Sequence, residues 1–345
     1  MSFILRKVDL LSGNILVTGA AGFIGAALSH RLLDSECRVV GIDSMNDYYS
    51  VDLKEHRLKS LESREGFTFI RGDISDIETV RGVFSEYSPS IVVNLAAQAG
   101  VRYSIVNPDA YIKSNIIGFY NILEACRHSE GLEHLVFASS SSVYGGSTKI
   151  PFSVEDKTDS PVSLYAATKK SNELLAHSYS HLYGIPATGL RFFTVYGPAG
   201  RPDMAYFKFA DTLRAGGTIQ IFNYGNCERD FTYIDDIVEG VFRVMQGAPE
   251  KFSVYNIGGG RPENLLEFVD VLQGELVRAG VLPSDYDFEG HRELVPMQAG
   301  DVPITFADSS GLERDFGFTP KIDIREGLRR FAEWYAMYYN TQIHK

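Results

Sequence analysis

The stretch NILVTGAAGFIGAALSHRLL, residues 14–33, constrains the fold of this 345-residue chain more than any other. An apolar run ends in glycines at 19, 22 and 25, and a pattern rich in alanine and leucine follows. Strand, tight turn and helix in that order open a parallel α/β unit. Glycines at this spacing let the backbone turn sharply and approach a ligand closely. The helix they open presents unpaired N–H groups and the positive end of its dipole, which together suit a pyrophosphate. The spacing GxxGxxG, between a strand and a helix, therefore predicts a dinucleotide site built on Gly19, Gly22, Phe23, Ile24 and Gly25.

Asp43 closes the next apolar run, CRVVGID, 18 residues after Gly25. A carboxylate there accepts hydrogen bonds from an adenosine ribose and repels a 2′-phosphate, which selects NAD over NADP. Asn46 lies within reach of the same end of the cofactor. Asp73, with Ile74 beside it, follows the third run, FTFIRGD, where it can bond adenine. An ordinary strand-end turn accounts for Asp73 nearly as well.

Six such runs, NILVTG, CRVVGID, FTFIRGD, SIVVNLAA, HLVFASS and ATGLRFF, alternate with amphipathic stretches such as YIKSNIIGFYNILEACR. Near-continuous apolar strands separated by helices predict a parallel sheet covered on both faces, a doubly wound, Rossmann-like α/β fold. Beyond Arg191 the pattern changes, with Gly, Pro and aromatics clustered in FFTVYGPAGRPDMAYF. The expected division is an NAD-binding domain over residues 1–190 and a smaller α/β substrate lobe over 191–345, partly interleaved with the first. Residues 1–13 read as a short extension ahead of the first strand.

With 44% hydrophobic residues the chain can bury one large core or two coupled ones. A net charge of −11, without a block of like charges, disfavours nonspecific binding to nucleic acid or an anionic membrane. An anionic small substrate stays open if a few arginines converge. Three cysteines, at 37, 126 and 227, without CxxC spacing, read as a reduced set, and no apolar run reaches the roughly 18 residues of a membrane span. A cytoplasmic protein is expected. His177 and His181 share a helix face but lack the acidic partner of HExxH, so no metal site is expected. Asp235 and Asp236 read as charges at a helix start, and Trp334 as packing on the last helix.

The stretch SLYAATKK puts Tyr165 four residues ahead of Lys169, one helical turn apart on one face. An ammonium there can favour the phenolate and lower its pKa from about 10. The run FASSSSVYG places Ser139–Ser142 at the carboxyl edge of the preceding strand, where ligands of open α/β sheets bind. A hydroxyl from Ser140, a phenol and a lysine at one sheet edge can polarise a sugar hydroxyl and take its proton as hydride leaves carbon.

With TGAAGFIG, NLAAQAG, SSSSVYG, YAATK, LRFFTVYGP and RDFTYIDD in this order, nearly the whole chain resembles the extended short-chain dehydrogenase/reductase family. Within it the chain looks most like the UDP-glucuronate 4-epimerases. The resemblance implies tightly held NAD, Tyr165 as base, Lys169 as its partner and Ser140 as second hydroxyl. It also implies cofactor contacts from Leu95, Ala96, Ala97, Asn115, Phe192 and Val195. A homodimer is implied too, through the helices containing Asn115 and Tyr165.

The expected reaction is the reversible 4-epimerisation of a UDP-sugar, UDP-glucuronate to UDP-galacturonate, by transient oxidation at carbon 4. Related 4,6-dehydratases carry Asp-Glu where this chain has Ser141 and Ser142, and related decarboxylases tend to place a Glu there; their absence favours simple epimerisation. The segment GPAGRPDMAYF is similar to one in uronate epimerases and offers Thr194 and Arg201 to hold a carboxylate, with Ser141 and Ser142 beside the sugar. Arg229 stands where the family contacts the diphosphate. Many sugar epimerases have a further arginine where this chain has Gln298, and Arg102 is a candidate to help. The readings left open are a 4-epimerase of another UDP-hexose (UDP-glucose or UDP-N-acetylglucosamine), a dehydrogenase that releases NADH, and an NAD-binding sensor without turnover.

Overall fold

In the computed structural model, which describes residues 5–297 and 302–343, seven parallel strands form the central sheet. In chain order they are β1 (Asn14–Thr18), β2 (Arg38–Asp43), β3 (Phe67–Arg71), β4 (Ile91–Asn94), β5 (His134–Ser140), β6 (Ala187–Phe192) and β7 (Phe252–Ile257). Across the sheet they run β7-β6-β5-β4-β1-β2-β3. The order reverses at β1 and β4, and a crevice opens above their carboxyl ends. The first six strands coincide with the six runs read from the sequence.

Alternation along the strands divides the core into two layers. Ile15, Val17, Val39, Ile91, Val93, Val136 and Leu190 face one way, onto helices Phe23–Leu33 and Ile234–Met245. Leu16, Val40, Ile42, Val92, Leu135 and Phe137 face the other, onto helices Ile77–Tyr87 and Phe119–Arg127. Both faces are dry, which is why these strands read as continuous apolar runs.

β7 comes from the second half of the chain and pairs with β6 along Phe252–Ile257 and Ala187–Phe192. The second half therefore contributes to the main sheet, and the division at residue 190 remains a proposal. The remainder of this half contains a three-stranded sheet of Thr194–Tyr196, Glu228–Tyr233 and Pro262–Asn264. Helices Ala205–Arg214, Leu265–Arg278 and Ile324–Ile343 pack around it. Asp235 and Asp236 lie in the first turn of helix Ile234–Met245, and Asp236 also accepts from the backbone N–H of Lys321 and Ile322. Trp334 stacks on Tyr338. Of the leading segment, Leu5–Lys7 forms a strand against Gly247–Pro249. No helix among the described residues is long and apolar enough to cross a membrane.

Candidate active site

The helix Leu164–Tyr183 starts where its sequence directs. The Ser163 hydroxyl accepts from the N–H of Ala166 at 3.1 Å, and Gly184, at φ +71°, ends the helix. This registers Tyr165 and Lys169 toward the carboxyl edge of β5. There Ser140 caps the short turn Ser141–Tyr144, its Oγ accepting from the N–H of Ser142 at 3.2 Å. Behind them Arg191 and Glu173 form a buried two-point ion pair, at 2.8 and 2.9 Å, and Ser139 donates to Glu173 at 2.7 Å. That pair ties the tyrosine helix to β6, and removing one partner would strand a buried charge.

The glycine turn is shaped for close approach. Gly19 sits at φ +72°, and a Cβ there would lie 2.9 Å from the Ala96 nitrogen. A Cβ on Gly25 would come within 2.1 Å of the Gly19 carbonyl oxygen. The helix that follows has no side-chain cap at Gly22, so its first N–H groups face the crevice. Asp43 is held at the end of β2 by the N–H groups of Ala21 and Met45, at 3.1 and 2.9 Å. A pyrophosphate on the turn and a ribose at Asp43 fit this cradle.

One cavity of about 430 Å³ joins these parts. Its wall contains Gly19, Gly22, Phe23, Ile24, Gly25, Asp43, Asn46, Asp73, Ile74 and the stretch Leu95, Ala96, Ala97. It continues past Ser140, Ser141, Ser142, Tyr165 and Lys169 to Phe192, Thr194, Val195 and Arg201. Two expected contacts are absent from it. Asn115 lies in a π-helical turn, Ile112–Gly118, and its amide is consumed inside the protein. Its oxygen accepts from the Gln98 N–H at 2.8 Å, and its nitrogen donates to the Gln98 carbonyl and the Thr168 hydroxyl, both at 3.0 Å. Asn115 therefore shapes the cofactor-side loop from behind instead of touching the cavity. Arg229 is also outside the wall: its guanidinium donates to the carbonyls of Glu228 and Pro303 at 3.0 and 2.9 Å. Gln298 lies outside the described residues. Arg102 places its guanidinium over the Phe222 ring, 5.2 Å from the centroid.

The electrostatics also differ from the simple Tyr–Lys pair. Lys169 donates to the Ala138 carbonyl at 2.9 Å, and burial, with Arg201 nearby, brings its pKa down to about 8. Burial raises the Tyr165 phenol above its ordinary value. A hydrogen bond with Ser140 and the charge of Arg201 oppose that rise, while Asp203 adds to it. Arg201 is thus a cation that acts on the phenol.

Several wall residues were not read from the sequence. Tyr48 and Lys54 come from the segment after β2, and the Lys54 ammonium donates to the Asn46 backbone and side-chain oxygens at 2.7 and 2.8 Å. The loop Gln98–Val101 lies opposite them, pinned by Tyr111, whose hydroxyl reaches the Ala99 and Gly100 carbonyls. The tyrosine-rich DYYS at 47–50 was the available signal.

Comparison with known proteins agrees with this architecture. Residues 15–258 match the model of the NAD dependent epimerase/dehydratase family. The chain is 49% identical over 342 residues to Protein CapI of Staphylococcus aureus, covering 94% of this chain and 99% of that protein. It is 45% identical over 342 residues to UDP-glucuronate 4-epimerase 4 of Arabidopsis thaliana, covering 94% of this chain and 76% of the relative. The crystal structure of UDP-glucuronic acid 4-epimerase from Bacillus cereus, in complex with UDP-glucuronic acid and NAD, superposes with a TM-score of 0.85 at 33% identity, covering 94% and 100% of the two chains. With the glycine turn, the Tyr165–Lys169 helix and the serine edge all on one cavity, the chain belongs to the NAD-dependent epimerase/dehydratase family.

Proposed function

We propose that this protein interconverts UDP-glucuronate and UDP-galacturonate by 4-epimerisation with NAD as its cofactor. One observation carries the reading: the glycine turn, the Tyr165–Ser140 pair and the Thr194–Arg201 pair line a single cavity. NAD seated on the turn supplies a reversible hydride acceptor for carbon 4, so the reaction has no net redox change. Tyr165 takes the proton of the carbon-4 hydroxyl and later returns one, with Ser140 hydrogen-bonding the same oxygen. Lys169, anchored on Ala138, is placed to bond the nicotinamide ribose. Ser141 and Ser142 contact the sugar, and Thr194 with Arg201 holds the carbon-6 carboxylate. In the Bacillus cereus neighbour UDP-glucuronic acid and NAD are bound together, which supports the same pairing here.

The test is direct. Gently denatured protein is expected to release NAD or NADH, and incubation with UDP-glucuronate to yield its 4-epimer faster than incubation with UDP-glucose or UDP-N-acetylglucosamine. Release of mainly NADP would refute the role of Asp43, and a preference for either neutral sugar would refute the uronate.

Arg229 and the diphosphate remain a proposed pair, which requires Arg229 to meet substrate where the cavity opens outward. We also place the protein in the cytoplasm, a reading its three unpaired, buried cysteines support. A homodimer is supported by large apolar side chains exposed along residues 103–127 and 164–183: Ile105, Val106, Ile117, Tyr120, Leu174 and Leu182. Sedimentation should give twice the 38.3 kDa chain mass, and charged substitutions at Ile117 and Leu174 should halve it. A monomeric wild type would dispose of the dimer.

A further inference from the structure

Asp203 stands directly behind Arg201 and is not part of the cavity wall. Arg201 Nε donates to Asp203 Oδ1 at 3.0 Å, and Nη2 donates to Oδ2. The Tyr48 hydroxyl donates to the same Oδ2 at 3.2 Å, and its ring packs on Tyr103 with centroids 4.6 Å apart. Tyr48 follows β2, so a residue from the adenosine side of the cleft fixes the carboxylate that grips Arg201.

The backbone leading into Arg201 is held from the same side. Arg57, buried in helix Val51–Glu62, donates to the carbonyls of Ala199 at 2.9 Å and Gly200 at 2.8 Å. The same guanidinium donates to the Ala21 carbonyl of the glycine turn at 3.1 Å. Ala199 sits at φ +52°, a left-handed conformation unusual for a residue with a Cβ. Main chain and side chain are thus both fixed, one by Arg57 and the other by Asp203.

A guanidinium carries five N–H bonds in a rigid planar fork. Asp203 takes the side edge, Nε with one hydrogen of Nη2. The end edge remains: Nη1 and the second hydrogen of Nη2. Without Asp203, either edge could turn to the cavity and a carboxylate there could be met in more than one orientation.

We propose that Asp203, braced by Tyr48, is a positioning residue that presents the end edge of Arg201 to carbon 6 and thereby protects the substrate carboxylate from loss as carbon dioxide. The proposal rests on the reading of Arg201 as the carboxylate's partner. Its chemistry follows from the ketone formed at carbon 4, which makes the substrate a β-keto acid. When the C5–C6 bond stands perpendicular to the ketone plane it can break, its electron pair passing into an enolate over carbons 5 and 4. Carbon dioxide departs, and a proton added at carbon 5 gives the keto-pentose. A carboxylate gripped in one orientation by the end edge is held away from that alignment.

Asp203→Asn keeps the size of the side chain but sets an N–H₂ group against an arginine N–H, so the two-point pair cannot form. With UDP-glucuronate carrying a labelled carboxyl, carbon dioxide released per UDP-galacturonate formed should rise on the order of tenfold. Tyr48→Phe should raise the same ratio by less, and it leaves the Arg201–Asp203 pair intact if the Asn variant fails to fold. A purely structural role would lower total turnover and leave the ratio where it was. Unchanged ratios in both variants overturn the proposal. Arg201→Ala, run in parallel, separates the two readings. If it raises the ratio and the Asp203 and Tyr48 variants do not, only the role of Asp203 falls. If it too leaves the ratio unchanged, the carboxylate reading of Arg201 falls with it.

Discussion

Tyr165→Phe is expected to leave the fold and the bound NAD in place and to lower turnover about 10²–10⁴-fold, the usual cost of losing a general base. The ring still packs edge-on to Tyr111, whose centroid lies 6.0 Å away, so the helix face survives; only the proton acceptor goes. A variant with near-normal turnover would eliminate Tyr165 as the base. The surroundings say how the phenol is tuned. Burial raises its pKa, and Ser140 and Arg201 work against that rise. Phenolate is the active form, so activity should appear as pH rises through the phenol's pKa, on the acid limb of the profile. Lys169→Met should cut turnover, and with Arg201 still there to oppose the rise that limb should stay near its wild-type position. A limb moved clearly to higher pH in Lys169→Met would restore the lysine as the controlling cation.

What could be read in the sequence follows from where each contact is made. Strands β1, β2, β4, β5 and β6 are buried along most of their length, so each declares itself as a local apolar run; β3, at one edge and only partly buried, still shows Phe67, Phe69 and Ile70, and the glycine turn declares itself by spacing. β7 lies at the other edge, and its sequence, FSVYNI, breaks the apolar residues with Ser253 and Asn256, so no apolar run marks it. The cofactor contact of Asn115 is an implication of the family resemblance, whereas the π-helical turn that redirects its amide is a property of the backbone. Arg57, Tyr48 and Asp203 went unread for another reason. They meet Gly200, Asp203 and Tyr48 across 143 and 155 residues of chain, and no periodicity records such a meeting. Asp203 lies two residues beyond Arg201, inside the segment quoted for its arginine, yet only the fold makes it that arginine's clamp.

Arg201→Ala is expected to reduce UDP-glucuronate turnover roughly 10–150-fold, the cost of one charge-assisted contact at about 1.5–3 kcal/mol, and to spare residual UDP-glucose turnover by comparison. The structure refines the reason. Arg201 does not stand in the cavity as a free cation; Asp203 already neutralises it through two hydrogen bonds. A neutral pair can accept a sugar with or without a charge at carbon 6, so the preference must come from geometry: an N–H edge aimed where a carboxylate presents two oxygens and a primary alcohol only one. The same guanidinium faces Tyr165 and lowers its pKa. Removing it therefore has a second, separable effect. The phenol loses its opposing cation while Asp203, released, still disfavours phenolate, so the acid limb should move to higher pH with either sugar. Measured above that limb, where Tyr165 is ionised in both proteins, the uronate-to-hexose ratio isolates the carboxylate contact. Equal losses for both sugars under those conditions would make Arg201 a residue of the fold or of Tyr165 alone, and the preference for uronate would need another source.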